Sequence, residues 1–129
     1  KLNAFCENCA VVSNNGTVNF NGGIFGSCRV VSDGSETVEA ATIDFLCQKH
    51  SFEPTYIKYD IEGSEADALI GSHNVIEKFK PRLAVSIYHS NEDMVELIRY
   101  IHQKYPFYNF YVRHYSGFFA ETILYCIPQ

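Results

Sequence analysis

The chain has 129 residues, 47% of them hydrophobic, which suffices for one core and one compact domain over 1–129 but not for two. A formal charge of −5 and a pI near 5.4, with Lys and Arg scattered singly, exclude a nucleic-acid surface and a polybasic membrane patch. No stretch has the apolar length of a signal peptide or membrane-spanning helix, and five cysteines without a repeating framework point to a reducing, cytoplasmic setting.

Residues 2–31 read as short β segments with turns at Asn14-Asn15-Gly16 and Asn21-Gly22-Gly23. An Asn-Gly pair between apolar runs signals a hairpin, so an N-terminal β-hairpin extension is expected. The glycines between Gly22 and Gly26 are not a phosphate loop, since such a loop opens a helix and Arg29 to Val31 read as strand. Cys6-Glu7-Asn8-Cys9 stands alone, without the following helix that activates a thiolate or the second pair that closes a zinc site. Cys28, Cys47 and Cys126 read as ordinary core thiols. Residues 37–42 look extended, and Asp44 begins a short helix ending near His50.

A strand is predicted over 55–61. After it, Ser64 and Asp67 fit a capping box, and Ala66, Leu69, Ile70 and His73 recur at helical spacing until Gly71-Ser72 loosens the turn and Pro81 stops it. Leu83 to Tyr88 is nearly continuous apolar sequence, as expected of a central parallel strand covered on both faces. Ser90 with Asp93 makes a second capping box, followed by a stripe of Met94, Leu97, Ile98, Ile101 and Tyr105. Tyr108 to His114 alternates as a strand, Ser116-Gly117 turns, and Thr122 to Ile127 is the last strand. The order strand, helix, strand, helix, strand, strand is that of an α/β fold, with a mostly parallel sheet and a C-terminal antiparallel hairpin.

Open α/β sheets place their chemistry at the carboxyl ends of strands. Tyr56, Lys58 and Asp60 share one strand face with Glu62, which sets the two carboxylates roughly 6–7 Å apart at one edge. A plainer reading is that carboxylates ahead of a helix are held by its N-terminal dipole. His89 follows the buried strand directly and would reach the same edge, where an imidazole can act as a general base. His114 and Tyr115 end the next strand in the same way, so three successive strands deliver polar residues at one end. Asp60, Glu62, His89 and His114 are also conceivable ligands of a divalent metal, the basis for a metal-dependent hydrolase as an alternative, but no short ligand spacing supports that set.

The chain resembles the C-terminal part of the FkbM family of S-adenosylmethionine-dependent methyltransferases. Ile57-Lys58-Tyr59-Asp60-Ile61-Glu62-Gly63-Ser64-Glu65 is similar to the family's Ile-Lys-x-Asp-x-Glu-Gly-x-Glu, and Leu69-Ile70-Gly71 to its Leu-x-Gly. Thr42-Ile43-Asp44 is similar to its Thr-Leu-Asp, and Asn14 to Phe20 to the segment after its third core strand. Lys80 to His89 is similar to the strand ending in Tyr-His, and Arg113-His114-Tyr115-Ser116 to the following Arg-His-Tyr. The resemblance implies part of a Rossmann-like sheet and methyl transfer from S-adenosylmethionine to a hydroxyl of a sugar or small natural product. It implies catalytic roles for three residues, Asp60 beside the methyl donor and acceptor, Glu62 orienting polar groups there and His89 as the base, with Asp60 and Glu62 also binding the cofactor; Tyr88, His114 and Tyr115 are expected to bind the substrate, and no metal is expected.

The family's glycine-rich first strand and acidic second strand have no counterpart in this chain, and the first residue is Lys1 rather than methionine. A natural polypeptide that continues upstream is therefore expected. Without those strands, the 129-residue chain is expected to bind S-adenosylmethionine weakly and to be inactive alone, with an exposed sheet edge open to self-association. The other reading open at this point is a non-catalytic binding or assembly module that keeps half of the fold and its aromatic surface for a partner or carbohydrate.

Overall fold

A computed structural model describes residues 4–21, 29–34, 36–118 and 120–129. The turn at Gly22-Gly23 and the core placement of Cys28 fall outside the described residues. The elements run β1 (Ala10–Val11), β2 (Gly16–Asn21), β3 (Arg29–Val30), β4 (Glu36–Ala41), α1 (Ile43–His50), β5 (Tyr56–Tyr59), α2 (Glu65–Ile70), α3 (His73–Phe79), β6 (Arg82–Ser86), α4 (Asp93–Lys104), β7 (Tyr108–His114) and β8 (Thr122–Pro128). They form two four-stranded sheets, ordered β1-β4-β2-β3 and β5-β6-β8-β7.

The first sheet corrects the hairpin expected at Asn14-Asn15-Gly16. β4 lies between β1 and β2, parallel to the former with Ala10 opposite Ala40 and antiparallel to the latter with Val18 opposite Val38. The segment after β1 stays with β4, the Val12 N–H donating to the Ala41 carbonyl at 3.1 Å. Asn15 Oδ1 then accepts the Thr42 N–H at 2.8 Å, so the Asn-Gly pair wraps the end of β4 instead of joining two paired strands. The antiparallel neighbour of β2 on its other side is β3, with Phe20 opposite Val30.

The second sheet carries the strands legible from alternation. β5 reads exposed, buried, exposed, buried, which turns Ile57 and Tyr59 to one face. Leu83, Val85, Leu124 and Cys126 join them there against Ala68 and Leu69 of α2, Val75 and Ile76 of α3, and Leu97 and Ile101 of α4. Each fully buried Leu or Ile stabilises the fold by roughly 1.5–3 kcal/mol relative to exposure. The apolar stripe expected on α4 is buried at Leu97, Ile101 and Tyr105, but Met94 is exposed.

The expectation of a mostly parallel sheet is corrected as well, because this sheet is mixed. β5 and β6 pair in parallel, Ile57 opposite Leu83, whereas β8 is antiparallel to both β6 and β7. The crossover through α4 carries β7 two places from β6, leaving a gap between them. The turn after it is short enough to return the chain only antiparallel, into the gap. Since β6 and β7 are both antiparallel to β8, the strands β5, β6 and β7 still point the same way and end at one rim. β5 is one edge strand of this sheet, β7 the other, and β5 pairs with nothing on its outer side among the described residues.

Local sequence also sets how the helices begin. Thr42 Oγ1 accepts the Phe45 N–H at 3.0 Å and caps α1. Asp44, in the first turn of α1, accepts from the backbone N–H groups of Asn74 and Val75 at 3.0 and 2.9 Å. It thereby caps α3, whose own preceding residue Ser72 makes no capping bond. At the second capping box the Asp93 N–H donates to Ser90 Oγ at 3.1 Å. At the first, Ser64 makes no capping bond, and Asp67 Oδ2 instead accepts the Ser13 N–H at 3.0 Å. The partner supplied by the segment after β1 displaces the local box.

Candidate functional site

The chain leaves β5 through Asp60 and then turns sharply: Glu62 lies at φ 56 and Gly63 at φ 95. Two successive left-handed residues end the strand, and the second favours glycine because a side chain there meets its own backbone. Glu62 therefore does not continue the strand face of Asp60. The turn swings its carboxylate round, and both acids converge on a third group.

That group is His89, three residues past the end of β6 at Ser86, since the strand stops short of the Tyr88 expected as its end. Its Nε2 lies 3.8 Å from Asp60 Oδ1 and 3.9 Å from Glu62 Oε2, within ion-pair reach but beyond hydrogen-bond length. The side chain is 9% exposed, and both ring nitrogens are sealed from solvent without an aligned hydrogen-bond partner. The Tyr88 ring tilts against the imidazole with centroids 4.3 Å apart.

Asp60 is fixed by three donors. Lys58 Nζ reaches Oδ2 at 2.7 Å, and the hydroxyls of Ser86 and Tyr88 reach Oδ1 at 2.9 and 3.2 Å. Partial burial pushes this carboxyl up, but the bonds from Lys58, Ser86 and Tyr88 outweigh it and hold its pKa below the ordinary value. Burial, followed by the charge of Asp60, pushes the Tyr88 phenol up to about 12, so it remains a neutral donor at physiological pH.

A group held below its unfolded value contributes stability that is full above the unfolded pKa, about 3.9 for Asp, and lost as pH falls through the folded one. Urea unfolding of wild type and Asp60→Asn from about pH 5 to about pH 2 is expected to show a steeper acid loss in wild type. Equal slopes would mean that the three donors do not favour the ionised carboxylate.

Two acidic residues absent from the expected set belong to this rim. Glu65 is 1% exposed; its Oε1 accepts the Ile61 N–H at 2.9 Å and its Oε2 the Gly63 N–H at 3.0 Å, and Oε1 also lies 2.9 Å from His89 Nδ1. Glu121, at φ 68 just before β8, is near enough for its charge to raise the pKa of both Lys58 and Tyr88. Glu65 reads in the sequence as an ordinary acid in the first turn of a helix. Its place as the third acid of the Asp-x-Glu-Gly-x-Glu stretch was the available signal.

His114 and Tyr115 end β7 on the same rim but bond to β8. His114 Nδ1 is 2.8 Å from Thr122 Oγ1, and the Tyr115 and Tyr125 hydroxyls are 2.9 Å apart. The structure thus joins Asp60, Glu62, Tyr88 and His89 in one cluster, whereas the bonds of His114 and Tyr115 run to β8 and not to that cluster. Tyr88 serves there as a donor to Asp60. Among the described residues no three His, Cys, Asp or Glu side chains converge in a metal-holding arrangement, so geometry adds no support for the hydrolase alternative.

Cys6 and Cys9 are free; burial, with the nearby Glu7 charge, raises the Cys9 pKa, which disfavours a reactive thiolate. Burial pushes the Cys126 thiol up to about 12, as suits a core cysteine. A cavity of about 800 Å³ lies between α1 and α3 with Phe45, Gln48, His73 and Lys78 in its walls and includes none of the rim residues. We place the candidate site at the rim, where carboxylates and imidazole converge, since cavity size alone carries no chemistry. No helix among the described residues is long and apolar enough to cross a membrane.

Residues 7–110 match the family model of the methyltransferase FkbM domain. The fold is similar to the crystal structure of the methyltransferase FkbM from Methylobacillus flagellatus KT, with a TM-score of 0.73 and 31% sequence identity. That match covers 92% of this chain and 27% of the other, so the chain spans about a quarter of that protein's length. No curated protein matches the chain.

Proposed function

The chain belongs to the methyltransferase FkbM family, and from that premise we propose that it forms the acceptor-activating part of an O-methyltransferase that uses S-adenosylmethionine. The observation that carries this reading is the sealed, unpartnered Nε2 of His89 within 4 Å of both Asp60 and Glu62. A buried polar atom without a partner is costly and calls for one, and an acceptor hydroxyl is a fitting partner.

S-adenosylmethionine, when bound, supplies an electrophilic methyl group on a positively charged sulfonium. The rim suits such a cation, since Asp60, Glu62 and Glu121 gather negative charge there against the cation of Lys58. Asp60, already held rigid by Lys58, Ser86 and Tyr88, would orient polar groups beside the reacting atoms without reorganising. Glu62 lies at the more open side of the imidazole, 43% exposed, where it can meet a hydroxyl of the acceptor. His89 would take the acceptor's proton at Nε2. Tyr115 and His114 extend the rim toward β7 as the flank against which a sugar or natural-product acceptor would lie.

The test is transfer of an isotopically labelled methyl group to small-molecule and saccharide alcohols. It is run with the 129-residue chain and with a longer polypeptide that contains it. Transfer by the longer form is expected, with little or none by the chain alone. Tight binding of S-adenosylmethionine by the chain alone in calorimetry would overturn the view that it supplies only part of the site, and a longer form with labelled N- or C-methyl products would overturn O-methylation.

A further inference from the structure

We propose that Glu65 is the positioning residue for His89: its carboxylate holds the imidazole with the proton on Nδ1 and so leaves Nε2 as the nitrogen free to accept one. The role of that free nitrogen rests on the methyl-transfer reading above, whereas the tautomer itself does not. Glu65 is almost wholly buried, and a buried carboxylate persists only where its charge is answered. Part of the answer is the pair of backbone N–H groups of Ile61 and Gly63, one on each oxygen. These bonds also hold the left-handed turn at Glu62 and Gly63 that brings the Glu62 carboxylate to His89.

A further polar neighbour of Glu65 is His89, with Nδ1 2.9 Å from Oε1. The contact has hydrogen-bond length without hydrogen-bond alignment, so the required bond forms only with a reorientation of the ring. The ring has little freedom otherwise: Tyr88 lies against it, and Gly63 passes with its Cβ position 4.0 Å from the His89 Cβ. The nitrogen that carries the proton in a neutral imidazole is set by the bond the other makes, and a fixed carboxylate at Nδ1 selects Nδ1–H. Nε2 then presents its lone pair toward the space between Asp60 and Glu62.

Nitrogen NMR of ring-labelled histidine in the 129-residue chain, read above the imidazole titration, tests this. The expected result is the Nδ1–H tautomer for His89 in wild type and loss of that preference in Glu65→Leu, which leaves no acceptor at Nδ1, with the backbone amide spectrum otherwise kept. A residue that only pinned the turn would leave the tautomer unmoved. Nε2–H in wild type, or an unchanged tautomer in folded Glu65→Leu, would overturn the proposal; should the variant fail to fold, the wild-type tautomer decides alone. In the longer polypeptide, Glu65→Leu is further expected to lower kcat by about 10–100-fold at unchanged KM for S-adenosylmethionine. If the tautomer behaves as expected but no methyl transfer is found with any alcohol, the proposed function fails and the positioning role stands.

Discussion

Replacing His89 with alanine, in a polypeptide long enough to transfer methyl groups, is expected to lower kcat by about 10²–10⁴-fold while leaving the affinity for S-adenosylmethionine unchanged. The expectation follows from where the ring sits. Its Nε2 faces the gap between Asp60 and Glu62 at 3.8 and 3.9 Å, distances that leave those acids as neighbours and not as hydrogen-bond partners. A base removed from the acceptor's proton affects the chemical step, and cofactor contacts made elsewhere persist. Single-turnover rates and calorimetry on the same preparations separate the two. A parallel loss of both would make His89 a binding residue, and equal activity would remove it from the site. The side chain is nine-tenths buried, so its truncation leaves a hole. His89→Gln, closer in volume and unable to act as a base, is the companion that should show the same loss in kcat with less effect on thermal stability.

The parts of this fold that local chemistry determines were legible in the sequence. β7 occurs over Tyr108–His114 as read, because alternation of large apolar and polar residues is a property of the strand itself. The short helix after Thr42 and the stop at Pro81 likewise follow from a cap and a ring that cannot continue a helix. What was not legible depends on partners far away in sequence. Nothing local to Thr122–Pro128 says that it will slip between β6 and β7, and nothing local to Asn14-Asn15-Gly16 says that β4 will enter between its flanking strands. Asp67 has the right spacing for a local cap and serves Ser13 instead, 54 positions away. At the rim, strand direction sends Asp60 and His89 to one edge, whereas Glu62 nears His89 through the left-handed turn and not along the strand face read for it. Glu65 was beyond the reach of strand direction, because its role depends on burial and on a left-handed turn that no propensity at Glu62 announces.

The second large effect concerns Gly71, where α2 ends and the first sheet meets the helices. Its φ of −71° is open to any residue, so only space can demand glycine there. An added Cβ would stand 2.3 Å from the Val12 carbonyl oxygen and 3.3 Å from the Ser13 Cα. Those are backbone atoms, and they cannot yield cheaply. Val12 N–H is bonded to Ala41 O, Ser13 N–H to Asp67, and Gly71 O itself accepts the Asp44 N–H at 3.0 Å. Gly71→Ala is therefore expected to destabilise the chain by about 1–3 kcal/mol, or roughly 4 °C in Tm for each kcal/mol at this size. The sign of the change is what discriminates. Where space allows, the same substitution stabilises by about 0.4–1 kcal/mol through the unfolded state, and Gly117→Ala, with nothing within 4 Å of the new Cβ, is expected to be neutral or mildly stabilising. Thermal and urea unfolding of the two variants side by side measure the difference. A Gly71→Ala variant as stable as wild type would mean that the segment after β1 is not docked on the end of α2. The first sheet would then lose its anchor to the helices that carry Glu65 and frame the rim.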